Sequence, residues 1–267
     1  MALTDILVHV DASPASPVRV AAAVALGAAH GARVTGLYVV THQHYQSSHG
    51  KTPDLIAGAR QQFAAAVEAA GVENRWICAD WSVVGVSSAE IISHHAHYTD
   101  LLITGQDGAA GGKSTTELPE RLILSSGRPV LVIPAATTQA GLGKKVLIAW
   151  KAGREATRAV YDALPILEKS DRVTLLAINI STAYDDDETM CSDIVDHLDR
   201  HGIKSVVERV PAQQSSVGDA LLNRVYEEGY DLLVMGAFAH TPQGTLLLGS
   251  AARQMLQQST VPILFSH

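Results

Sequence analysis

Short runs of valine, leucine and isoleucine alternate along this chain with longer alanine-rich stretches of helical period. "DILVHV" from Asp5, "RVTGLYVV" from Arg33, "DLLITG" from Asp100 and "PVLVIP" from Pro129 are short and almost continuously apolar. Runs of that kind predict strands covered on both faces rather than strands with one wet side. Between them lie segments such as "SPVRVAAAVALGAAH", whose apolar positions recur at helical spacing. Strand and helix therefore alternate, which predicts a parallel sheet wrapped by helices.

The pattern then occurs a second time. "DILVHVDASPASPVRVAAAVALGAAHGARVTGLYVV" from Asp5 is matched by "KVLIAWKAGREATRAVYDALPILEKSDRVTLLAIN" from Lys145, and "YTDLLITGQDG" is matched by "GYDLLVMGAFA". "SSGRPVLVIP" is likewise matched by "QSTVPILFSH", and the anchors keep their order in both halves. The segment "AATTQAGLGK", Ala135 to Lys144, is small, polar and glycine-containing, as a linker should be. The expectation is two tandem α/β domains, residues 1–139 and 140–267, each a doubly wound parallel sheet of about five strands. Ligands of such sheets sit beyond the carboxyl ends of the strands, where strand order reverses. The loops after the first and fourth strands of each half are the places to look for function.

Composition narrows the choice. The chain has 267 residues, 47% of them hydrophobic and only 5% aromatic, so alanine, valine and leucine must fill its cores. A formal net charge of −7 argues against nucleic acid or an anionic membrane surface as partner. No apolar stretch approaches the 18 or so residues of a membrane helix, and the amino terminus enters a strand directly, without the pattern of a signal peptide. Cys78 and Cys191 stand far apart with no CxxC spacing. A cytoplasmic, reducing location without disulfides is expected.

The anchors carry a family resemblance. A strand followed by "VDAS", then "DLL" before a glycine, a glycine loop, "GS" opening a helix, and "PVLV" resemble the universal stress protein family. The duplication resembles its tandem members. The resemblance implies five parallel strands per domain in the order 3-2-1-4-5, and it implies ATP binding in many members. Their nucleotide pattern is an aspartate after the first strand, then Gly-two-Gly-nine-Gly-Ser/Thr after the fourth.

Each half keeps only part of that pattern. In the first half Asp11, Gly105 and Gly108 match, but Leu118 and Pro119 stand where Gly-Ser is required. Proline has no N–H to give a phosphate, so no ordinary nucleotide site is expected there. In the second half Gly236, Gly249 and Ser250 match, whereas Ala239 replaces a glycine and Lys151 replaces the aspartate. If the Ala239 position requires positive φ, alanine costs about 1–2 kcal/mol. Loss of the aspartate's charged hydrogen bond costs about 1.5–3 kcal/mol. Together these would move a micromolar ATP site toward millimolar. Lys151 cannot accept a hydrogen bond from a base, but its ammonium can reach a phosphate.

Other motifs weaken on inspection. "GAAGGKS", Gly108 to Ser114, has only three residues between its first glycine and "GK", one short of a phosphate-binding P-loop. His42, His44 and His49 lie in one segment, and His94, His95 and His97 in another, with Glu90 a helical turn before His94. Neither cluster matches a recognised metal motif, and no metal is expected. No Ser–His–Asp or "GxSxG" arrangement suggests a nucleophile.

The leading expectation is a tandem universal stress protein, not an enzyme, acting as a binding or regulatory module. Its second half would hold an adenine nucleotide such as ATP, or another small phosphorylated ligand. A slow ATPase, a nucleotidyl-transfer enzyme and a ligand-free scaffold are the alternatives. The apolar last strand of each half suggests an intrachain pseudo-dimer, and homodimerisation of whole chains is left open.

Overall fold

Asp5–Val10 forms the first strand, β1, and its Ile6, Leu7 and Val8 are completely enclosed. Each such aliphatic side chain contributes about 1.5–3 kcal/mol on burial, so these runs anchor the fold. The computed structural model describes residues 2–41, 51–81, 86–106, 117–137, 142–178, 187–210, 216–240 and 246–266. They belong to two compact units, residues 2–140 and 141–267. The linker segment Ala135–Lys144 is described only at its two ends.

In the first unit β1 is followed by α1 (Ser16–His30), β2 (Arg33–Thr41), α2 (Thr52–Ala70), β3 (Asn74–Trp81) and α3 (Ser88–Ala96). Then come β4 (Leu101–Gly105), α4 (Glu117–Ser125) and β5 (Val130–Ile133). The strands lie parallel in the order β3-β2-β1-β4-β5, with Ile6 opposite Val34 on one side and Leu101 on the other.

The second unit comprises β6 (Lys145–Trp150), α5 (Arg154–Leu167), β7 (Arg172–Ile178), α6 (Asp187–Arg200), β8 (Ser205–Val210) and α7 (Val217–Glu228). It continues with β9 (Leu232–Gly236), a short pair β10 (Phe238–His240) and β11 (Leu246–Leu248), α8 (Ser250–Gln258) and β12 (Ile263–Ser266). Its parallel order is β12-β9-β6-β7-β8. Both units therefore have the 3-2-1-4-5 order implied by the sequence resemblance.

The repeated aspartate of "DLL" has a structural task in each unit. Asp100 accepts hydrogen bonds from the amides of Thr4 (2.8 Å) and Asp5 (3.0 Å). Asp231 accepts from the amides of Gly143 (3.0 Å), Lys144 (3.0 Å) and Lys145 (3.1 Å). Each pins the start of the unit's first strand to its fourth, at the amino edge of the sheet. Capping repeats as well: Ser87 and Glu90 close a reciprocal capping box on α3, and Ser216 and Asp219 close one on α7. Gly31 and Gly229 end α1 and α7 with left-handed φ of 65° and 64°, a conformation glycine adopts without steric cost.

The antiparallel pair β10–β11 departs from the sequence reading, which took Gly236 to Gly249 as a glycine loop. Phe238, Ala239 and His240 pair with Leu248, Leu247 and Leu246. Two short apolar segments flank "TPQG", a turn-like sequence, and that pattern is the mark of a hairpin.

Candidate functional site

In the second unit β6 and β9 are neighbours at the point where strand order reverses, and both end at the same edge of the sheet. Beyond their carboxyl ends lies a cavity of about 720 Å³. Trp150, Leu176, Leu221, Met235 and Phe238 supply apolar lining, and Lys151, Glu155 and Ser250 supply polar groups. Lys151 is the first residue after β6 and its side chain is exposed at this edge.

Helix α8 points its amino terminus into the same space. Its N-cap is Gly249, which has no side chain to satisfy the first turn. The Gly249 amide donates to the Ala237 carbonyl at 3.0 Å, and the first intrahelical bond runs from the Arg253 amide to the Gly249 carbonyl at 2.9 Å. The amides of Ser250, Ala251 and Ala252 thus precede the helical ladder, and all three residues line the cavity. Amides so placed, at the positive end of a helix dipole, suit an anion.

Of the other two residues of the sequence pattern, Gly236 also lines the cavity and has a packing task besides. A Cβ on Gly236 would stand 2.7 Å from Cβ of Glu155 and 2.8 Å from its carbonyl carbon. Glycine is needed there so that the start of α5 can pack on the end of β9. Ala239 sits in β10 opposite Leu247. Its backbone is extended strand, so the positive φ considered for this position does not arise, and alanine carries no conformational cost.

The first unit uses the equivalent place differently. Asp11 follows β1, as Lys151 follows β6, but its carboxylate is engaged: Nη2 of Arg19 lies 2.7 Å from Oδ2, and the Ser13 amide donates to Oδ1 at 2.9 Å. Arg19, on α1, is 3% exposed, and its Nε donates to the His9 carbonyl at 3.2 Å. A Cβ on Gly105 would collide with the Arg19 guanidinium. Burial, reinforced by the charge of Arg19 and opposed by Asp11, lowers the His9 imidazole to about 4, so it is neutral near pH 7. Burial by itself would raise the Asp11 carboxyl, but the Arg19 charge, the His9 charge and the Ser13 hydrogen bonds together hold it below its ordinary value. Leu118 and Pro119 lie in the first turn of α4, with Pro119 buried. Gly108 and the whole of "GAAGGKS" lie outside the described residues.

The universal stress protein family model matches this chain twice, over residues 3–134 and 143–267. The chain belongs to the universal stress protein family. A universal stress protein from Archaeoglobus fulgidus DSM 4304 is similar in structure, with a TM-score of 0.76 and 17% identity over 98% of this chain and 97% of that one. A functionally unknown protein from Pseudomonas aeruginosa PAO1 gives a TM-score of 0.65 and 15% identity over 99% and 92%. A universal stress protein in complex with cAMP matches 51% of this chain and 99% of its own, at 18% identity and a TM-score of 0.39. No curated protein matches by sequence.

Elsewhere in this universal stress protein, the rings of His94 and His95 stand edge-on at 5.8 Å, and those of His94 and His97 at 6.3 Å. Glu90 does not turn toward them. Its Oε2 accepts from the Ser87 amide at 2.7 Å and the Ser87 hydroxyl at 2.9 Å, completing the cap of α3. Among the described residues no group of three His, Cys, Asp or Glu side chains is placed to hold a metal. His42, His44 and His49 lie outside those residues. No helix among the described residues is long and apolar enough to cross a membrane.

Sequence reasoning overlooked Arg19 and His9. A usable signal existed for the arginine: Ser16, Arg19, Val20, Ala23, Val24 and Gly27 are all buried on α1, and they follow one helical face. A charge on the core face needs a partner, and Asp11 was the nearest carboxylate in sequence.

Proposed function

We propose that this tandem universal stress protein is a binding module, not an enzyme, whose second half takes a small phosphate-bearing ligand. The observation that carries the reading is the joint placement of Lys151 and the uncapped start of α8 on one 720 Å³ cavity at the reversal point of the sheet. That volume suits a ligand of nucleotide size. The phosphate end of a nucleotide fits: Lys151 supplies a mobile positive charge and Ser250, Ala251 and Ala252 supply amides. The base end fits less well, because the family's aspartate is a lysine here and a lysine cannot accept from an adenine amino group. We therefore read the site as selective for phosphate and largely indifferent to the base.

Calorimetric titration with ATP, GTP and pyrophosphate at low and high salt tests this. All three should bind, ATP and GTP within a few-fold of each other, and all should weaken as salt rises. Lys151→Asp should weaken pyrophosphate and bring back a preference for ATP over GTP. Absence of binding, or strong adenine selectivity in the unmodified protein, would overturn the reading.

A further inference from the structure

We infer that Arg19 is a built-in occupant of the first unit's crevice: its guanidinium fills the place where a ligand would sit, and Asp11 is the receptor for that internal cation rather than for an adenine base. The residues around it form a guanidinium site. Asp11 Oδ2 lies 2.7 Å from Nη2, the His9 carbonyl accepts from Nε at 3.2 Å, and Gly105, by lacking a Cβ, leaves room for the planar group against the end of β4. Nη2 faces the carboxylate without a directed hydrogen bond, so the contact is chiefly ionic. Asp11 is left about one-third exposed, at 35% of its side chain, whereas Arg19 is enclosed.

The repeat supplies a second, independent observation. Aligning Asp5 with Lys145 without gaps sets His9 against Ala149, Asp11 against Lys151 and Arg19 against Ala159. All three members of the polar cluster change together. Where His9 and Arg19 are replaced by alanine, the corresponding edge carries the open cavity, with Ala149 in its lining and Ala159 buried below. Arg19 thus ties up, in the first half, the carboxylate that stands where the second half has a lysine. The aspartate that matches the family's pattern is already neutralised, and the guanidinium packs over Gly105 where in the second half the start of α5 packs over Gly236.

The test is chemical rescue in the full-length chain, read by thermal melting without nucleotide, so that it is independent of what the second half binds. Arg19→Ala should lower the melting temperature of the first unit, and millimolar methylguanidine should raise it again by several degrees. The same additive should leave the unmodified protein and the Asp11→Asn/Arg19→Ala double variant unmoved, and tetramethylammonium should rescue none of them. Should Arg19→Ala fail to fold in buffer, folding on addition of methylguanidine supports the inference. If it folds in neither condition, Asp11→Asn alone decides, a lowered melting temperature supporting the inference and an unchanged one overturning it. No rescue of a folded Arg19→Ala protein, or equal shifts in all variants, would also overturn it.

Discussion

The two halves place opposite charges at one position of a shared fold. After the first strand of the first half stands Asp11, covered by the buried Arg19 and neighboured by the neutral His9. After the first strand of the second half stands Lys151, with alanines at the positions of His9 and Arg19 and a cavity beside it. Strand order, the pinning aspartates and the capping boxes are the same in both. The core that builds the sheet and the crevice that the sheet presents are therefore separable. Three differences at the edge separate a self-satisfied cluster from a cavity lined by a lysine, while the layers beneath keep their order.

The largest difference should appear in stability. Removing one partner of a buried ion pair typically costs about 3–5 kcal/mol, and the partial exposure of Asp11 places Arg19→Ala near the low end, at about 3 kcal/mol. Lys151→Ala, at an exposed position, should stay within about 0.5 kcal/mol of the unmodified protein. Urea unfolding of the two variants would break the comparison if the costs were equal.

Acid should separate the halves next. The folded value of His9, about 4, lies below its ordinary 6.5. The unfolded chain then takes up the proton more readily, so stability is complete above pH 6.5 and falls as pH drops toward 4. The gap corresponds to about 3 kcal/mol. Asp11 is held below its ordinary value, so its own contribution fades only at more acid pH. His9→Ala copies the second half's Ala149 and should remove most of the slope between pH 6.5 and 4. Urea midpoints measured across that range would show it.

Gly236→Ala forces a Cβ against the main chain of Glu155, which cannot swing aside as a side chain can. A loss of about 2 kcal/mol is expected for such overpacking, measured by denaturation of the second unit. Smallest is Ala239→Gly. A glycine in strand β10 should lower stability by up to about 1 kcal/mol and leave anion affinity unchanged. A tenfold gain in affinity would instead restore the view of this segment as a phosphate loop.

Most of the fold was legible because it rests on short-range regularities. Runs such as "DLLITG" and "DLLVMG" announce strands by continuous burial, and their repetition fixed the unit count and the order of elements. Lys151, Gly249 and Ser250 stand out because the family pattern counts residues along the chain, and all three line the second unit's cavity. For Arg19 the helical-face count marks a charge turned to the core, but its meeting with the end of β4 comes from α1 folding back over the sheet, which that count does not convey. The strand at Ala239 was not legible for a related reason: β10 depends on its partner β11, and cross-strand pairing is a property of two segments, not one. Gly236 matched the pattern, yet the contact that demands it is with α5, more than seventy residues earlier in the chain.

On the proposed reading, the second half receives the anion and the first does not. Calorimetric titration of the intact chain with pyrophosphate, compared with Lys151→Ala and Asp11→Asn, tests it most directly. One site per chain is expected, weakened about tenfold by Lys151→Ala at low salt and unmoved by Asp11→Asn. Two equivalent sites, or binding that responds to Asp11 and ignores Lys151, would contradict it.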